Sequence, residues 1–294
     1  MKRGAFAVRL AYRPPYDWPA MLDHLSARAI EGVEIVEGET YARTIAIGGA
    51  AGTVRVAHDP SDASLAATVG VPDERLLPAV VERLRRLFDL DADVVAIGVH
   101  LARDAGLAPL VARRPGLRVP GAWDPFELAL RAILGQQVTV EAARKLLGRL
   151  VAACAVAAID DAGDRRLAWT FPAADDLLGA DLGSLGMPAA RKDTLVRVAR
   201  ALHDDPSLFD PQPALDDALA RLQGIRGIGP WTAHYVALRG MRHPDAFPSS
   251  DVGLLRAAAR EGRRPTPREL EARSQSWRPW RAYAAQHLWS ATRP

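Results

Sequence analysis

The chain has 294 residues, of which 49% are hydrophobic and 25% charged, with a formal net charge of +3; this is the composition of a soluble globular protein of two or three domains. Its one cysteine, Cys154, excludes an internal disulfide framework and a four-cysteine zinc or iron–sulfur site. No apolar run reaches the roughly 18 residues of a membrane span, and the N-terminus lacks the features of a signal peptide. We therefore expect a cytoplasmic protein with no membrane partner.

The first 95 residues combine two helix-like segments with short strand-like runs. Apolar spacing predicts a helix over Asp17–Ile30, with Asp17 as its N-cap, and another over Pro78–Leu90. Runs of alternating polarity between turn residues predict four strands: Val33–Val36, Arg43–Ile47, Thr53–Ala57 and Leu65–Val69. The pattern predicts an α+β domain over residues 1–95 with a mainly antiparallel sheet.

From about residue 96 the strand signal fades and helix signals dominate. The segment Ala102–Ala122 holds several Gly and Pro residues and is expected to be irregular or only briefly helical. Helical periodicity, caps and proline starts predict eight helices: Pro125–Leu134, Val140–Val156, Pro188–Leu202, Leu215–Leu222, Trp231–Arg239, Ser250–Arg260, Pro267–Ser274 and Trp280–Ala291. We predict an all-α body of two domains, one spanning residues 124–243 and the other combining residues 96–123 with 244–294.

A glycine-rich turn joins two of these helices within Leu222–Ala233. Gly224, Gly227 and Gly229 permit a tight turn, and Pro230 suits the first turn of the next helix. The free N–H groups near Gly227 and Gly229 would form an anion site suited to a DNA phosphate. A plain helical hairpin would explain G-x-G alone, but the full string GIGPWTA matches the helix–hairpin–helix consensus of base-excision DNA glycosylases.

A carboxylate follows this hairpin by about twenty residues, in Phe247–Val252. Asp251 is expected in the first turn of a helix, where the helix dipole favours a negative charge. Stabilising that helix is one interpretation of Asp251. The other is catalytic: breaking an N-glycosidic bond builds positive charge on the sugar, and a fixed carboxylate would stabilise it or activate the attacking water. The glycosylase superfamily ends its Gly/Pro-rich loop with an aspartate, and Asp251 occupies that place.

Trp231 stands where bifunctional relatives in this superfamily carry a lysine nucleophile. No lysine follows Lys192, so the sequence predicts hydrolysis by water without a Schiff base.

Aromatic residues are expected to form a base-binding slot. Trp231 and Tyr235 are four residues apart and share a helix face, whereas Trp277, Trp280 and Tyr283 are interpreted as core. A ring-alkylated base is cationic, so stacking on tryptophan would gain about 0.5–2 kcal/mol. Since alkylation also weakens the glycosidic bond, we expect a pocket without a protonating residue.

The chain resembles the bacterial 3-methyladenine DNA glycosylase II family, the AlkA type, over essentially its whole length. The matching stretches are PPYDW (14–18), ARAIEGVEIVEGETYAR (27–43), RLFDL (86–90), RPGLRVPG (114–121), FELALRAILGQQV (126–138), LGMPAARKDTL (185–195), GIGPWTAHYVALRG (227–240) and WRPWRAYAAQHLW (277–289). The resemblance implies a TATA-binding-protein-like sheet domain followed by an all-α helix–hairpin–helix body. It also implies a nucleoid-associated monomer that acts on double-stranded DNA and requires no cofactor.

The resemblance further implies roles for individual residues. Asp251 would be catalytic, and Trp231, Tyr235 and Trp289 would line the base pocket. The expected DNA-binding residues are Gly227, Gly229, Thr232 and Gln137, and the expected main-chain ligands of a structural monovalent cation at the hairpin are Gln223, Ile225 and Gly227. Gln137 would be the wedge that fills the gap left by the flipped base, where the family often has leucine, and Ser249–Ser250 replace the Pro–Asp of better-known members.

These observations predict a monofunctional glycosylase that removes alkylated bases such as 3-methyladenine and 7-methylguanine. The alternative is a non-catalytic helix–hairpin–helix protein that binds DNA lesions, for which Asp251 would be dispensable. A bifunctional oxidised-base glycosylase is disfavoured by the missing lysine.

Overall fold

The computed structural model describes residues 4–154, 156, 164–260 and 262–291. Its N-terminal part is a five-stranded antiparallel sheet with the strand order β1-β5-β4-β3-β2. The strands are β1 (Gly4–Ala11), β2 (Glu34–Glu37), β3 (Thr40–Ile47), β4 (Ala50–Asp59) and β5 (Ser64–Val71). The antiparallel α+β prediction is therefore confirmed.

Four of these strands overlap the predicted ones, and β1 was not predicted. It pairs with β5 from Gly4 opposite Val71 to Ala11 opposite Ser64 and forms one edge of the sheet. Most of its side chains are only half-buried or exposed, and three of its eight residues are alanine, which is depleted in strands. Its position depends on pairing with a distant strand, which no local pattern reveals.

Two helices, α1 (Trp18–Ser26) and α2 (Leu77–Phe88), share a hydrophobic core with the sheet. The predicted cap of α1 is confirmed, because the Asp17 carboxylate accepts a hydrogen bond from the Ala20 N–H at 3.0 Å. The helix ends at Ser26, four residues before the predicted end. The chain turns there, and Ile30 packs into the core of the helical body instead.

The remaining helices build one large core. They are α3 (Val94–Leu101), α4 (Ala108–Arg113), α5 (Pro125–Leu134), α6 (Val140–Cys154), α7 (Ala174–Gly179), α8 (Ala189–Asp204), α9 (Leu215–Gln223), α10 (Pro230–Arg239), α11 (Val252–Ala257), α12 (Pro267–Ser274) and α13 (Arg281–Ala291). Eight of them match the predicted helices to within a few residues at most ends; Ala155, inside the predicted span of α6, lies outside the described residues.

Helices α3 and α7 were not predicted, and α4 is the brief helix expected within Ala102–Ala122. The sequence of α3, VVAIGVHL, is almost entirely apolar, so it lacks the polar face by which helical periodicity is recognised. Helix α7 has only six residues.

Side chains from the sheet part and the helical part mix at their boundary. Ile30 and Val33 belong to the helical core, and Trp123 belongs to the core under the sheet. The proposed domain bounds therefore stay predictions.

A buried ion network ties the sheet to α5. Arg43 of β3 donates to Glu127 Oε2 at 2.7 Å, and Arg131 donates to Glu127 Oε1 at 2.6 Å and to Glu34 Oε2 at 2.5 Å. All four side chains are at most 14% exposed. The network fixes α5, and with it the loop that follows, against the sheet.

Within the described parts of the chain, no helix combines the length and apolar character needed to cross a membrane.

Candidate active site

A cleft of about 1560 Å³ opens between the sheet part and the helical body. Its walls come from α1 and its C-terminal turn, from α5 and the loop after it, and from α10, α11 and α13. Asp251, Trp231, Tyr235 and Trp289 all line it. The structure thus brings together the predicted catalytic and base-pocket residues from three helices far apart in sequence.

Asp251 is held in place through both of its carboxylate oxygens. It is the N-cap of α11, one position before the first turn in which it was predicted, and its Oδ1 accepts the Leu254 N–H at 3.0 Å. The indole N–H of Trp289 also donates to Oδ1, at 2.8 Å, and that of Trp231 donates to Oδ2 at 2.8 Å. Three donors therefore fix the carboxylate at the wall of the cleft.

The predicted pocket rings form one aromatic wall. Trp231 and Tyr235 stack at a centroid distance of 5.2 Å and an interplanar angle of 15°, as their spacing on α10 requires. Trp289 meets Tyr235 edge-on, at 6.1 Å and 70°. Trp277 and Tyr283 are buried away from this cleft, which confirms their interpretation as core, whereas Trp280 is only partly buried and packs against that core. Flat faces beside a fixed carboxylate suit a planar base whose sugar lies at the carboxylate.

The cleft also carries basic and polar side chains that the sequence analysis did not single out. Arg239 and Gln286 lie behind the aromatic wall, and His24 and Arg28 reach the cleft from the α1 side. The expectation of a pocket without a protonating residue stays a prediction, because His24 lines the cleft but no described contact places it beside the predicted base position. Arg239 is four residues after Tyr235, so helical spacing could have placed it on the pocket face of α10. The positions of His24 and Arg28 depend on the packing of α1 against distant segments, which no local pattern reveals.

Gln137 lies at the mouth of the cleft, in the loop between α5 and α6. Its side chain is exposed and its φ is +58°, in the left-handed region that residues other than glycine rarely adopt. Its neighbour Gln136 anchors the loop: Gln136 Nε2 donates to Thr232 Oγ1 at 2.9 Å, and Arg191 donates to the Gln136 carbonyl at 2.9 Å. The anchored backbone directs Gln137 outward, as a wedge requires.

Thr232 itself is only 2% exposed, and its hydroxyl bonds to Gln136. Its predicted contact with DNA would therefore use the main-chain N–H rather than the hydroxyl.

The hairpin connects α9 to α10 as predicted. Gly227 has a φ of +104°, and a Cβ there would lie 2.1 Å from Thr194 Oγ1, so both backbone and space require glycine. In the described structure, the N–H groups of Gly227 and Gly229 donate no hydrogen bond. These amides and the N-terminus of α10 form the donor set that an anionic phosphate would use.

The main-chain oxygens of the turn also fit the cation expected there. In the described part of the chain, the carbonyls of Gln223 and Gly227 accept no hydrogen bond, and that of Ile225 accepts only the Ile228 N–H, at 3.0 Å. Each carbonyl oxygen has two lone pairs, so all three retain capacity for a ligand. Among the described side chains, no group of three or more His, Cys, Asp or Glu residues could hold a metal ion.

Comparison with known proteins agrees with this architecture. A family model described as AlkA N-terminal domain matches residues 7–124, and one described as HhH-GPD superfamily base excision DNA repair protein matches residues 130–282. The DNA-3-methyladenine glycosylase 2 of Escherichia coli is 36% identical over 95% of this chain and 95% of its own length.

A Mycobacterium tuberculosis protein, described as a probable bifunctional transcriptional activator/DNA repair enzyme AlkA, is 39% identical over 98% of this chain. The chain spans only 57% of that protein's length. Among solved structures, the 3-methyladenine DNA glycosylase from Archaeoglobus fulgidus has the same fold, with a TM-score of 0.82 at 20% identity over 96% of this chain and 97% of its own. On this evidence of sequence and fold, the chain belongs to the HhH-GPD superfamily of base excision DNA repair proteins, in the group that carries the AlkA N-terminal domain.

Proposed function

We propose that this protein is a monofunctional DNA glycosylase that hydrolyses the N-glycosidic bond of alkylated bases, among them 3-methyladenine and 7-methylguanine, in duplex DNA. One observation carries the proposal: the Asp251 carboxylate is fixed by two indole N–H donors at the edge of an aromatic wall. The names of the relatives, which are 3-methyladenine glycosylases, support the same substrate class.

The chemistry follows from this placement. A damaged nucleotide flipped out of the helix would stack its base on Trp231 and Tyr235, with its sugar toward Asp251. As the bond from the sugar carbon to the base nitrogen breaks, the base keeps the electron pair and the sugar becomes positive. The carboxylate stabilises that charge without moving, because its hydrogen bonds already fix it. Water then adds to the sugar carbon, and the proton that it loses passes to solvent, because an alkylated cationic base leaves as a neutral molecule.

No covalent intermediate with the protein is proposed. Trp231 occupies the position of the lysine nucleophile in bifunctional relatives, and Lys192, the last lysine of the chain, does not line the cleft. Its ammonium donates to the Gly183 carbonyl at 2.8 Å. A Schiff base would require an amine beside the sugar.

The protein, as a monomer, would bind DNA through the hairpin and the loop after α5. The amides of Gly227 and Gly229, with the main-chain N–H of Thr232, would bind a backbone phosphate and position the duplex without reading its sequence. The Gln137 side chain would insert into the base stack of the duplex and fill the gap left by the flipped nucleotide. A monovalent cation on the carbonyls of Gln223, Ile225 and Gly227 would add positive charge beside that phosphate.

The test is release of free bases from methylated duplex DNA, separated by chromatography, with wild type and Asp251→Asn compared. Release by wild type and a loss of about a hundredfold or more in the variant would support the proposal. Borohydride trapping should yield no protein–DNA adduct. If wild type binds lesion-containing duplex but releases no base, and Asp251→Asn binds equally well, the protein is a lesion-binding module instead.

A further inference from the structure

A buried positive charge lies directly behind the aromatic wall. Arg239 is 3% exposed; its guanidinium donates to the Pro120 carbonyl at 2.8 Å and to Gln286 Oε1 at 3.0 Å. Its Nε–H has no hydrogen-bond acceptor in the described structure. Both of these partners are neutral oxygens. The guanidinium also forms a side-chain hydrogen bond with Tyr235, and no described carboxylate forms an ion pair with it. The charge is therefore not neutralised, which is unusual for a buried guanidinium.

The guanidinium of Arg239 lies over two of the three pocket rings. Its carbon is 5.3 Å from the centroid of Tyr235 and 5.0 Å from that of Trp289. A cation on one face of a ring reduces the attraction of that ring for a second cation. Among the described arginines and lysines, none is within cation–π distance of Trp231.

A second arginine approaches the same end of the pocket from the sheet part. Arg28 lines the cleft, is half-buried, donates to the His24 carbonyl at 3.4 Å and also forms a side-chain hydrogen bond with Tyr235. Burial raises the pKa of Tyr235, but the charges of Arg239 and Arg28 outweigh it and leave that pKa below its ordinary value. Burial, with the repulsion from Arg28, lowers the pKa of Arg239 to about 10. The Arg239 guanidinium therefore remains charged at neutral pH.

The other carboxylates of the cleft do not cancel this charge. Glu34 and Glu127 are engaged by Arg43 and Arg131 in the buried network, and Asp23 is exposed to solvent. Asp251 receives the Trp289 N–H at the ring's edge, whereas Arg239 lies against the same ring's face. The cleft is thus negative at the predicted sugar position and positive behind the predicted base position.

We infer that Arg28 and Arg239 are specificity-determining residues. They favour the release of a neutral damaged base, which departs as an anion, over the release of a base that is already cationic. The inference rests on the proposed glycosylase function and refines its substrate class. A carboxylate beside the sugar and guanidiniums behind the base stabilise the separation of a positive sugar from a negative base. A cationic base gains nothing from them, because it leaves as a neutral molecule.

The reaction balances in both cases. For a neutral lesion, the bond to the sugar breaks with its electron pair on the base nitrogen, water oxygen bonds to the sugar carbon, and the proton that water loses neutralises the base anion. For a cationic lesion, the electron pair neutralises the base, and the water proton passes to solvent. Only the first case develops an anion beside Arg28 and Arg239.

The experiment compares two lesions in one duplex sequence, a single hypoxanthine as the neutral base and a single 7-methylguanine as the cationic base. Single-turnover release rates are measured for wild type, Arg28→Gln and Arg28→Lys. We expect Arg28→Gln to lower the ratio of the hypoxanthine rate to the 7-methylguanine rate by about tenfold, the size expected of one charge acting over several ångströms. Arg28→Lys keeps the charge and should keep most of the ratio.

Because the readout is a ratio within one protein sample, partial unfolding of a variant cancels from it. Arg75→Gln, which removes an exposed arginine that pairs with Asp73 and does not line the cleft, is the matched control and should leave the ratio unchanged. An unchanged ratio in Arg28→Gln overturns the inference, as does a wild type that releases 7-methylguanine but no hypoxanthine. Failure of wild type to release either base would instead overturn the proposed function.

Discussion

The indole N–H of Trp231 donates to Asp251 Oδ2 at 2.8 Å and joins the helix–hairpin–helix to the loop that carries the carboxylate. Trp231 is the second residue of α10, directly after the hairpin proline, and Asp251 is the N-cap of α11. The motif that would hold the DNA backbone therefore also positions the group that would act on the sugar.

Asp251→Asn should lower base release by about a hundredfold or more while leaving the protein folded. Asparagine caps a helix about as well as aspartate, so the free energy of unfolding should change by about 1 kcal/mol or less. Urea unfolding monitored by circular dichroism, run beside the release assay, separates the two effects. A variant that unfolds would show that Asp251 is structural and would remove it as the catalytic candidate.

Trp231→Phe should impair base release while leaving stability nearly intact, because it keeps a ring but loses the donor to Asp251. The matched control is Trp277→Phe, which removes a buried indole that donates to Asp104 Oδ2 at 3.0 Å outside the cleft. That variant should lose about 1–3 kcal/mol of stability and keep its activity at low temperature. Equal losses of activity in the two variants would contradict a specific role for the Trp231 donor.

Parts of this site were predictable from local sequence and parts were not. The hairpin string marks Trp231 and Tyr235, and the loop after it marks Asp251, because glycine, proline and capping residues act over a few positions. Arg28 reaches the same cleft only because the α1 end of the sheet part packs against the helical body. That approach depends on long-range packing, as does the pairing of β1 with β5, and neither leaves a periodic signal.

Gln137→Gly should slow base release without lowering the stability of the protein. The left-handed backbone at Gln137 costs about 1 kcal/mol in a residue with a Cβ, so glycine should leave the unfolding free energy unchanged or slightly higher. Loss of the side chain should slow release from duplex DNA, since nothing then fills the gap in the stack. Gln137→Leu should retain release at or above the wild-type rate. Single-turnover kinetics on duplex and single-stranded substrates check this; an equal loss on both would exclude a wedge.

Glu127→Ala should strongly destabilise the fold. Burial raises the pKa of Glu127, but the guanidiniums of Arg43 and Arg131 outweigh it and lower that pKa, so the carboxylate is ionised in the network. Removing it leaves two buried arginines short of a partner and should cost about 3–5 kcal/mol. The control Glu141→Ala breaks an exposed pair with Lys145, 2.8 Å apart, and should cost less than about 1 kcal/mol. Urea unfolding at pH 7 measures both, and similar values would show that the network contributes little.

His287 should make stability fall in mild acid. It is 6% exposed on α13, and burial lowers its pKa from 6.5 to about 4. Between those values the unfolded chain binds a proton that the folded protein excludes, so the free energy of unfolding decreases as pH falls from about 6.5 to 4. The decrease from this group is at most about 3 kcal/mol, and below pH 4 the group contributes no further change.

The matched measurement is urea unfolding of wild type and His287→Gln at pH 7, 6, 5 and 4. His234 and His243, whose pKa values burial also lowers, titrate in both proteins, so their effects cancel from the comparison. The stability difference between wild type and variant should be largest at pH 7 and shrink steadily toward pH 4. A difference that stays constant over this range would mean that the imidazole accepts a proton in the folded protein as readily as in the unfolded chain. The packing contacts of His287, and not its protonation, would then set its contribution to stability.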